Sequence, residues 1–259
     1  MIFETHAHYD DPAFDSDREQ LFSDFPKLGI GHLINVGTTI TSSEASLSLA
    51  HRYPYIYAAV GLFPCDTAGC GDSEEERLAA LARDPKTVAI GEIGLDNHYK
   101  PAPEEKTIQR EWFLRQLALA RRENLPVIIH SRDAAEETFS ILKEAASLGT
   151  RGVIHCYSYS AEQAEAYARM GYDFGIGGVL TFSNAKKLCR VVEKIPLSHL
   201  LLETDSPYLA PSPFRGMRND SGYLPYVIGR ISSIKGIPQS EVIRTTEENA
   251  LRLFNRIRR

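Results

Sequence analysis

The sequence predicts an α/β protein built as a single (β/α)8 TIM barrel over residues 1–259. Three observations predict it. Short apolar runs alternate with helical stretches along the whole chain. The runs are near-continuous in Val, Ile, Leu and Ala, as in parallel strands covered on both faces. Several of them end on a histidine, glutamate or aspartate, and a closed parallel barrel would gather those ends on one rim. A doubly wound open sheet is the competing architecture.

Residues 1–4 read as a strand that Thr5-His6-Ala7-His8 closes. Strand side chains alternate, so Glu4, His6 and His8 are expected on one face. Residues 15–27 carry a helical pattern and 32–36 form the second strand. Ser42 or Ser43 is expected to cap the next helix, which reaches Arg52. Residues 55–60 make the third strand, and a helix opens near Ser73, where Glu74, Glu75 and Glu76 suit its N-terminal dipole. The fourth strand, 87–92, leads to the longest helix, 104–123, which stops before Pro126. The fifth strand is 127–130, with Ser131 or Asp133 opening a helix to Ser147. Then come strand 152–155, helix 160–170, strand 172–176, helix 184–194 and strand 200–205. An irregular loop, 211–222, precedes two final helices ending near Phe254. No repeat, low-complexity tract or linker interrupts the series.

Hydrophobic residues make up 43% of the chain, enough for a large core, and the net charge is −5. That charge disfavours coating duplex nucleic acid over the whole surface but leaves room for a local basic site. Cys65, Cys70, Cys156 and Cys189 form no CxxC pair, so reduced thiols in a cytoplasmic protein are expected. No apolar run approaches the ~18 residues of a membrane span. The N-terminus lacks the basic and apolar segments of a signal peptide. Nothing in the chain points to a protein partner.

His6 and His8 close the first strand, Glu92 the fourth, His130 the fifth, His155 the sixth and Asp205 the eighth. The other histidines are a control: His32 and His199 start strands on the opposite rim, His51 sits in a helix, and His98 reads as a surface residue. The rim donors exceed what one ion needs and suit two that share a carboxylate. Imidazole with carboxylate suits zinc, manganese or iron, and magnesium less naturally. Two divalent ions about 3.5–4 Å apart clamp the attacking and leaving oxygens of a displacement and acidify a bridging water, which is what hydrolysis requires. No dinucleotide fingerprint or serine elbow competes for the site.

These residues resemble the TatD-type metal-dependent hydrolases of the amidohydrolase superfamily. The likeness rests on Thr5-His6-Ala7-His8, Ile90-Gly91-Glu92-Ile93-Gly94-Leu95-Asp96, Pro126-Val127-Ile128-Ile129-His130-Ser131-Arg132, His155-Cys156-Tyr157-Ser158 and the run from Leu202 through Pro211. Arg215-Gly216-Met217-Arg218-Asn219 and Asn249-Ala250 with Leu253-Phe254 extend it to the end of the chain. The resemblance implies that His6, His8 and Asp205 hold one ion and His130 and His155 the other, with Glu92 bridging. It implies that Asp205 also orients and deprotonates the attacking water. Glu203, two residues earlier, is either an acid supporting the metal shell or the partner of a buried Lys or Arg. The family includes nucleases acting on DNA or RNA, often single-stranded, so single-stranded DNA is the expected partner. Arg132, Arg215 and Arg218 would hold its phosphates, or else fix loops through salt bridges. Tyr157 and Tyr208 would stack bases, or else pack.

The chain departs from the family where Gly61-Leu62-Phe63-Pro64 carries Phe63 in place of the usual histidine, and where Tyr159 replaces a small residue. Glu4 stands where Asp is usual. These changes leave the ligand set intact and bear on substrate preference. The expected activity is hydrolysis of phosphodiester bonds from a strand end. The alternatives are an amidohydrolase or esterase, cleaving for instance an aminoacyl-tRNA ester or a cyclic amide, and a barrel retained only for binding.

Overall fold

The computed structural model describes residues 1–257. Its strands are β1 (Ile2–Ala7), β2 (Ile30–Val36), β3 (Ile56–Val60), β4 (Thr87–Asp96), β5 (Val127–Arg132), β6 (Gly152–Ile154), β7 (Asp173–Ile176) and β8 (Leu200–Leu202). They pair in parallel in sequence order, β1 through β8. The sheet closes just past β8, where Ala7 bridges Ser206 in parallel. There Asp205 N donates to His6 O at 2.9 Å and His8 N to Ser206 O at 2.8 Å. The helices α1 (Arg18–Asp24), α2 (Ile40–Arg52), α3 (Asp72–Ala82), α4 (Pro103–Arg122), α5 (Ala135–Ser147), α6 (Ala161–Arg169), α7 (Lys186–Lys194), α8 (Leu224–Lys235) and α9 (Gln239–Leu253) cover it. None of the described helices is long and apolar enough to cross a membrane. The (β/α)8 barrel is therefore the architecture, and an open sheet is excluded.

Several boundaries differ from the sequence reading, each for a local reason. The first helix ends at Asp24 and tightens into a 3-10 turn over Phe25–Leu28, because Pro26 has no N–H to continue the α ladder. Thr39, not Ser42 or Ser43, caps α2: its side chain accepts from Ser42 N at 3.1 Å. Strand β4 runs on from Glu92 to Asp96. Gly94, at φ 147°, allows this, since a Cβ there would lie 1.9 Å from His130 O on β5. Strand β8 ends at Leu202, and residues 203–205 continue beyond it without ladder pairing.

Two buried layers hold the barrel. The larger lies between sheet and helices and includes Leu33, Ile56, Ile90, Ile129, Phe113, Leu142, Val191 and Ile228. The smaller fills the barrel itself: Phe3, Ile34, Val36, Ala59, Val88, Ile128, Val153 and Leu201, with Leu253, Phe254 and Ile257 of the chain's end. The Phe254 ring lies 6.2 Å from that of Phe3 and so closes the base. Arg256 completes the closure by donating to Ala82 O at 2.9 Å, Thr87 O at 3.0 Å and Glu123 O at 3.1 Å. Phe254→Ala leaves a cavity at this floor, and urea unfolding is expected to show a loss of about 3–5 kcal/mol. A loss under about 1 kcal/mol would mean the base is not part of the core.

Candidate metal centre

On β5, on β6 and beyond β8 the rim donors continue the inward-facing alternation of the barrel filling. Ile128 precedes His130, Val153 precedes His155, and Leu201 precedes Glu203 and Asp205 by the period of two that keeps side chains on one face. All six sequence-predicted donors come together. His6, His8 and Asp205 present ligand atoms within 4.8 Å of one another, and so do Glu92, His130 and His155. The Glu92 carboxylate stands between the two sets. Its Oε2 is 3.4 Å from His6 Nε2 and 3.7 Å from His8 Nε2, while its Oε1 is 2.9 Å from His130 Nδ1 and 3.8 Å from His155 Nε2. Asp205 Oδ1 is also central, at 3.6, 3.5 and 3.6 Å from Nε2 of His6, His8 and His155.

The backbone is bent to make this arrangement. Asp205 sits at φ 60° and Cys156, directly after His155, at φ 45°. Left-handed positions of this kind cost a non-glycine residue about 1–3 kcal/mol and cluster at functional sites. The register of β1 against β2 slips between Glu4 and Ala7, so Glu4 departs from the expected shared face. Its carboxylate accepts instead from His6 N (3.1 Å), Thr204 N (3.0 Å) and Ser221 Oγ (3.0 Å). Glu4 thus splints β1 to the segment carrying Asp205, and burial pushes its pKa up to about 8.

Further groups orient the donors. His8 Nδ1 lies 2.8 Å from Val36 O, a pure acceptor, so Nδ1 carries a proton and Nε2 is the nitrogen turned toward the cluster. His130 Nε2 lies 2.9 Å from Asp96 Oδ2, which turns Nδ1 toward Glu92. Asp96 is a site residue that a strand ending at Glu92 does not bring to the rim. Its spacing of four places it on the face of Glu92 once the strand runs on. Among the described residues Glu203 has no Lys or Arg partner. Its Oε1 accepts from Cys156 N at 2.7 Å and lies 3.3 Å from His155 Nδ1, and its Oε2 is buried without a partner. Gly175 makes room for it, since a Cβ there would sit 1.9 Å from Glu203 Oε2.

Charge is concentrated here under almost no solvent. Burial disfavours ionised Glu92, but His155, His6 and His130 hold its pKa well below the usual carboxylate range. Burial likewise opposes the charge on His155, yet Glu203, Asp205 and Glu92 raise its pKa to about 10. His8 is treated similarly by Asp205 and Glu92, to about 9, whereas burial and the charge on His155 lower His6. His6 and His155 stack with centroids 3.6 Å apart, and the Nε2 atoms of His6 and His8 are 3.1 Å apart. The Nδ1 atom of His6 is buried without a hydrogen-bond partner. Imidazoles crowded this closely among carboxylates fit a site for cations that take the place of the shared protons.

The residues expected to touch substrate divide. Tyr157 does not face the rim: it is 2% exposed, packs on Phe174 and donates its hydroxyl to Ser160 O at 2.8 Å, so it has no free face for a base. Arg218 is bound to both oxygens of Asp17 and to Ala13 O, and it fixes the loop after β8 as the salt-bridge reading had it. Arg132 is exposed beside the Tyr99 ring, 5.8 Å from its centroid, and Arg215 lies over Phe182 at 4.4 Å. Tyr208 is 54% exposed and donates to Asp11 at 3.1 Å. The Phe63 ring packs edge-on against His130 at 4.7 Å. The Tyr159 hydroxyl meets Ser131 Oγ at 2.9 Å and takes a bond from Ala134 N, bracing the turn after β5. His98, paired with Asp133 at 3.1 Å, stays on the surface.

Residues 3–255 match the family described as TatD related DNase. The uncharacterised metal-dependent hydrolase YabD of Bacillus subtilis is 40% identical over 98% of this chain and 99% of its own. The protein named 3'-5' ssDNA/RNA exonuclease TatD of Escherichia fergusonii is 32% identical, with 98% of each chain covered. Among solved structures, that of YjjV, a TatD homologue from Escherichia coli K12, superposes with a TM-score of 0.90 at 34% identity, over 98% of each chain. The chain belongs to the TatD-related family.

Glu203→Gln removes the first of the charges that raise His155 and keeps the side-chain shape. In the ion-free protein the pKa of His155, followed by NMR, is expected to fall by about 1–3 pH units. Gly175→Ala, which displaces the same carboxylate, is expected to move it in the same direction. An unchanged titration in both variants would separate Glu203 from His155.

Proposed function

We propose that this TatD-family chain is a two-metal phosphodiesterase that removes nucleotides from the end of single-stranded DNA or RNA. The observation that carries the reading is the Glu92 carboxylate, one oxygen toward His6 and His8 and the other toward His130 and His155. On this reading His6, His8 and Asp205 would hold one ion, His130 and His155 the other, and Glu92 would join them. Divalent ions so placed supply an acidified water and polarise a phosphoryl oxygen.

The chain's own residues do the rest. Asp205 Oδ1 is nearly equidistant from three histidine nitrogens, and His155 and His8 hold its pKa below the ordinary value, so the carboxylate is ionised and can take a proton from an attacking water. Glu203 and Asp96 keep His155 and His130 turned inward. Arg132 and Arg215, both exposed and paired with aromatic faces rather than carboxylates, are free to bind phosphate. The relative named as an ssDNA/RNA exonuclease supports this substrate class. Free thiols at all four cysteines fit a reducing, cytoplasmic setting.

Asp205→Asn is expected to lower turnover by about 10²–10⁴-fold, the range for loss of a positioned base. Turnover matching the wild type would remove Asp205 from that role. A panel of single-stranded DNA, RNA, charged tRNA and cyclic amides tests the substrate class. Hydrolysis of an amide or aminoacyl ester with every phosphodiester left intact would replace the nuclease reading.

A further inference from the structure

A groove of about 880 Å³ lies on the outer wall between α7 and α8. The loop after β7 lines its mouth. Its Thr181 Oγ1 accepts from Ser212 N at 2.8 Å, and its Phe182 ring lies under the Arg215 guanidinium, so it is fastened to the loop that follows Asp205. The helical repeat then sets two facing stripes along the groove. Lys186, Arg190 and Lys194 recur every four residues on α7, and Arg230 and Ile234 are four apart on α8.

Four of the lining residues are basic and one, Glu193, is acidic, in a chain whose net charge is −5. The pairing of these cations is graded. At the far end Lys194 and Arg190 share Glu162, at 3.3 and 3.8 Å. Nearer the rim, among the described residues, Lys186 has no acidic partner and Arg230 contacts only the Cys189 sulfur, at 3.4 Å. A half-exposed Phe182, with the Arg215 guanidinium over its ring, stands at the mouth. Two cations without acidic partners beside a half-exposed aromatic ring suit a flexible polyanion with stackable bases.

We propose that this groove is the track for the backbone of the single strand whose terminal nucleotide lies at the metal centre. The inference rests on the phosphodiesterase reading above and extends it: phosphates several positions from the scissile bond meet Lys186 and Arg230, and a base meets the exposed part of the Phe182 ring. Binding energy then grows with strand length without any change at the reacting bond.

The test compares the wild type with K186E/R230E, and with the milder K186Q/R230Q, all as metal-loaded full chains. KM for a 20-nucleotide strand, turnover of bis(p-nitrophenyl) phosphate and Kd for a hydrolysis-resistant 20-nucleotide phosphorothioate are measured over a range of salt. Charge reversal is expected to raise KM and Kd roughly tenfold, with bis(p-nitrophenyl) phosphate turnover unchanged. The salt slope should fall by roughly 1.4, two cations at about 0.7 each on a single strand. The neutral pair should fall between. Unchanged Kd and KM in K186E/R230E would overturn the proposal, and displacement of the strand by polyglutamate at matched charge would reassign the groove to an acidic protein. Failure of the underlying reading looks different: the wild type would leave every oligonucleotide intact, and the track would fall with it.

Discussion

The contact on which the structure depends is the one that closes the barrel. Asp205 N on His6 O and His8 N on Ser206 O join the first strand to the chain just beyond the eighth. Those two hydrogen bonds complete the sheet and set the two histidines against the aspartate some two hundred residues later. Closure and site assembly are therefore one event. Glu4 strengthens it from beneath, accepting from His6 N and Thr204 N on the two sides of the seam. An open sheet of the same eight strands would leave His6 and His8 at one edge and Asp205 at the other.

Closure also sets an electrostatic problem. Glu92, Glu203, His6 and His155 are all at most 5% exposed. Isolated charges at that depth are strongly destabilising, so each must be matched by a partner or hold a shared proton. The structure matches Glu92 with histidines on two sides and Glu203 with the Cys156 amide beside His155. The raised pKa values of His8 and His155 are the same balance seen from the imidazole side. Cations entering the cluster would release those protons, so affinity for divalent ions and acidity are opposed.

The sequence made the barrel and the six rim donors legible for a simple reason. Parallel strands covered on both faces have a distinctive composition, and their C-terminal ends are fixed by the apolar runs themselves. What it left illegible was local. Asp96 was hidden because the strand's extension depends on Gly94, a matter of how closely two backbones pass. Tyr157 and Arg218 could not be assigned from residue type, since Tyr is as suited to packing as to stacking and Arg to loop bracing as to phosphate. Three-dimensional neighbours decide them: Phe174 and Ser160 O for one, Asp17 and Ala13 O for the other. The replacement at Phe63 is visible in sequence, but its packing against His130 needed the fold.

The site is in this sense the top layer of the barrel core, not an addition to it. Inward positions alternate from apolar at the base to ionisable at the rim, as Leu201, Glu203 and Asp205 do along one segment. Core rules then apply to the chemistry. A large side chain needs a small one beside it, and Glu203 reaches His155 only because Gly175, on the neighbouring strand β7, leaves it room. Rigidity follows as well, since a carboxylate packed this way cannot relax when a neighbour changes. Specificity has to come from somewhere less constrained. The exposed surroundings of the rim, with Arg132, Arg215 and the groove beyond Phe182, can vary without disturbing the barrel, and that is where chains sharing this centre have freedom to differ in what they bind.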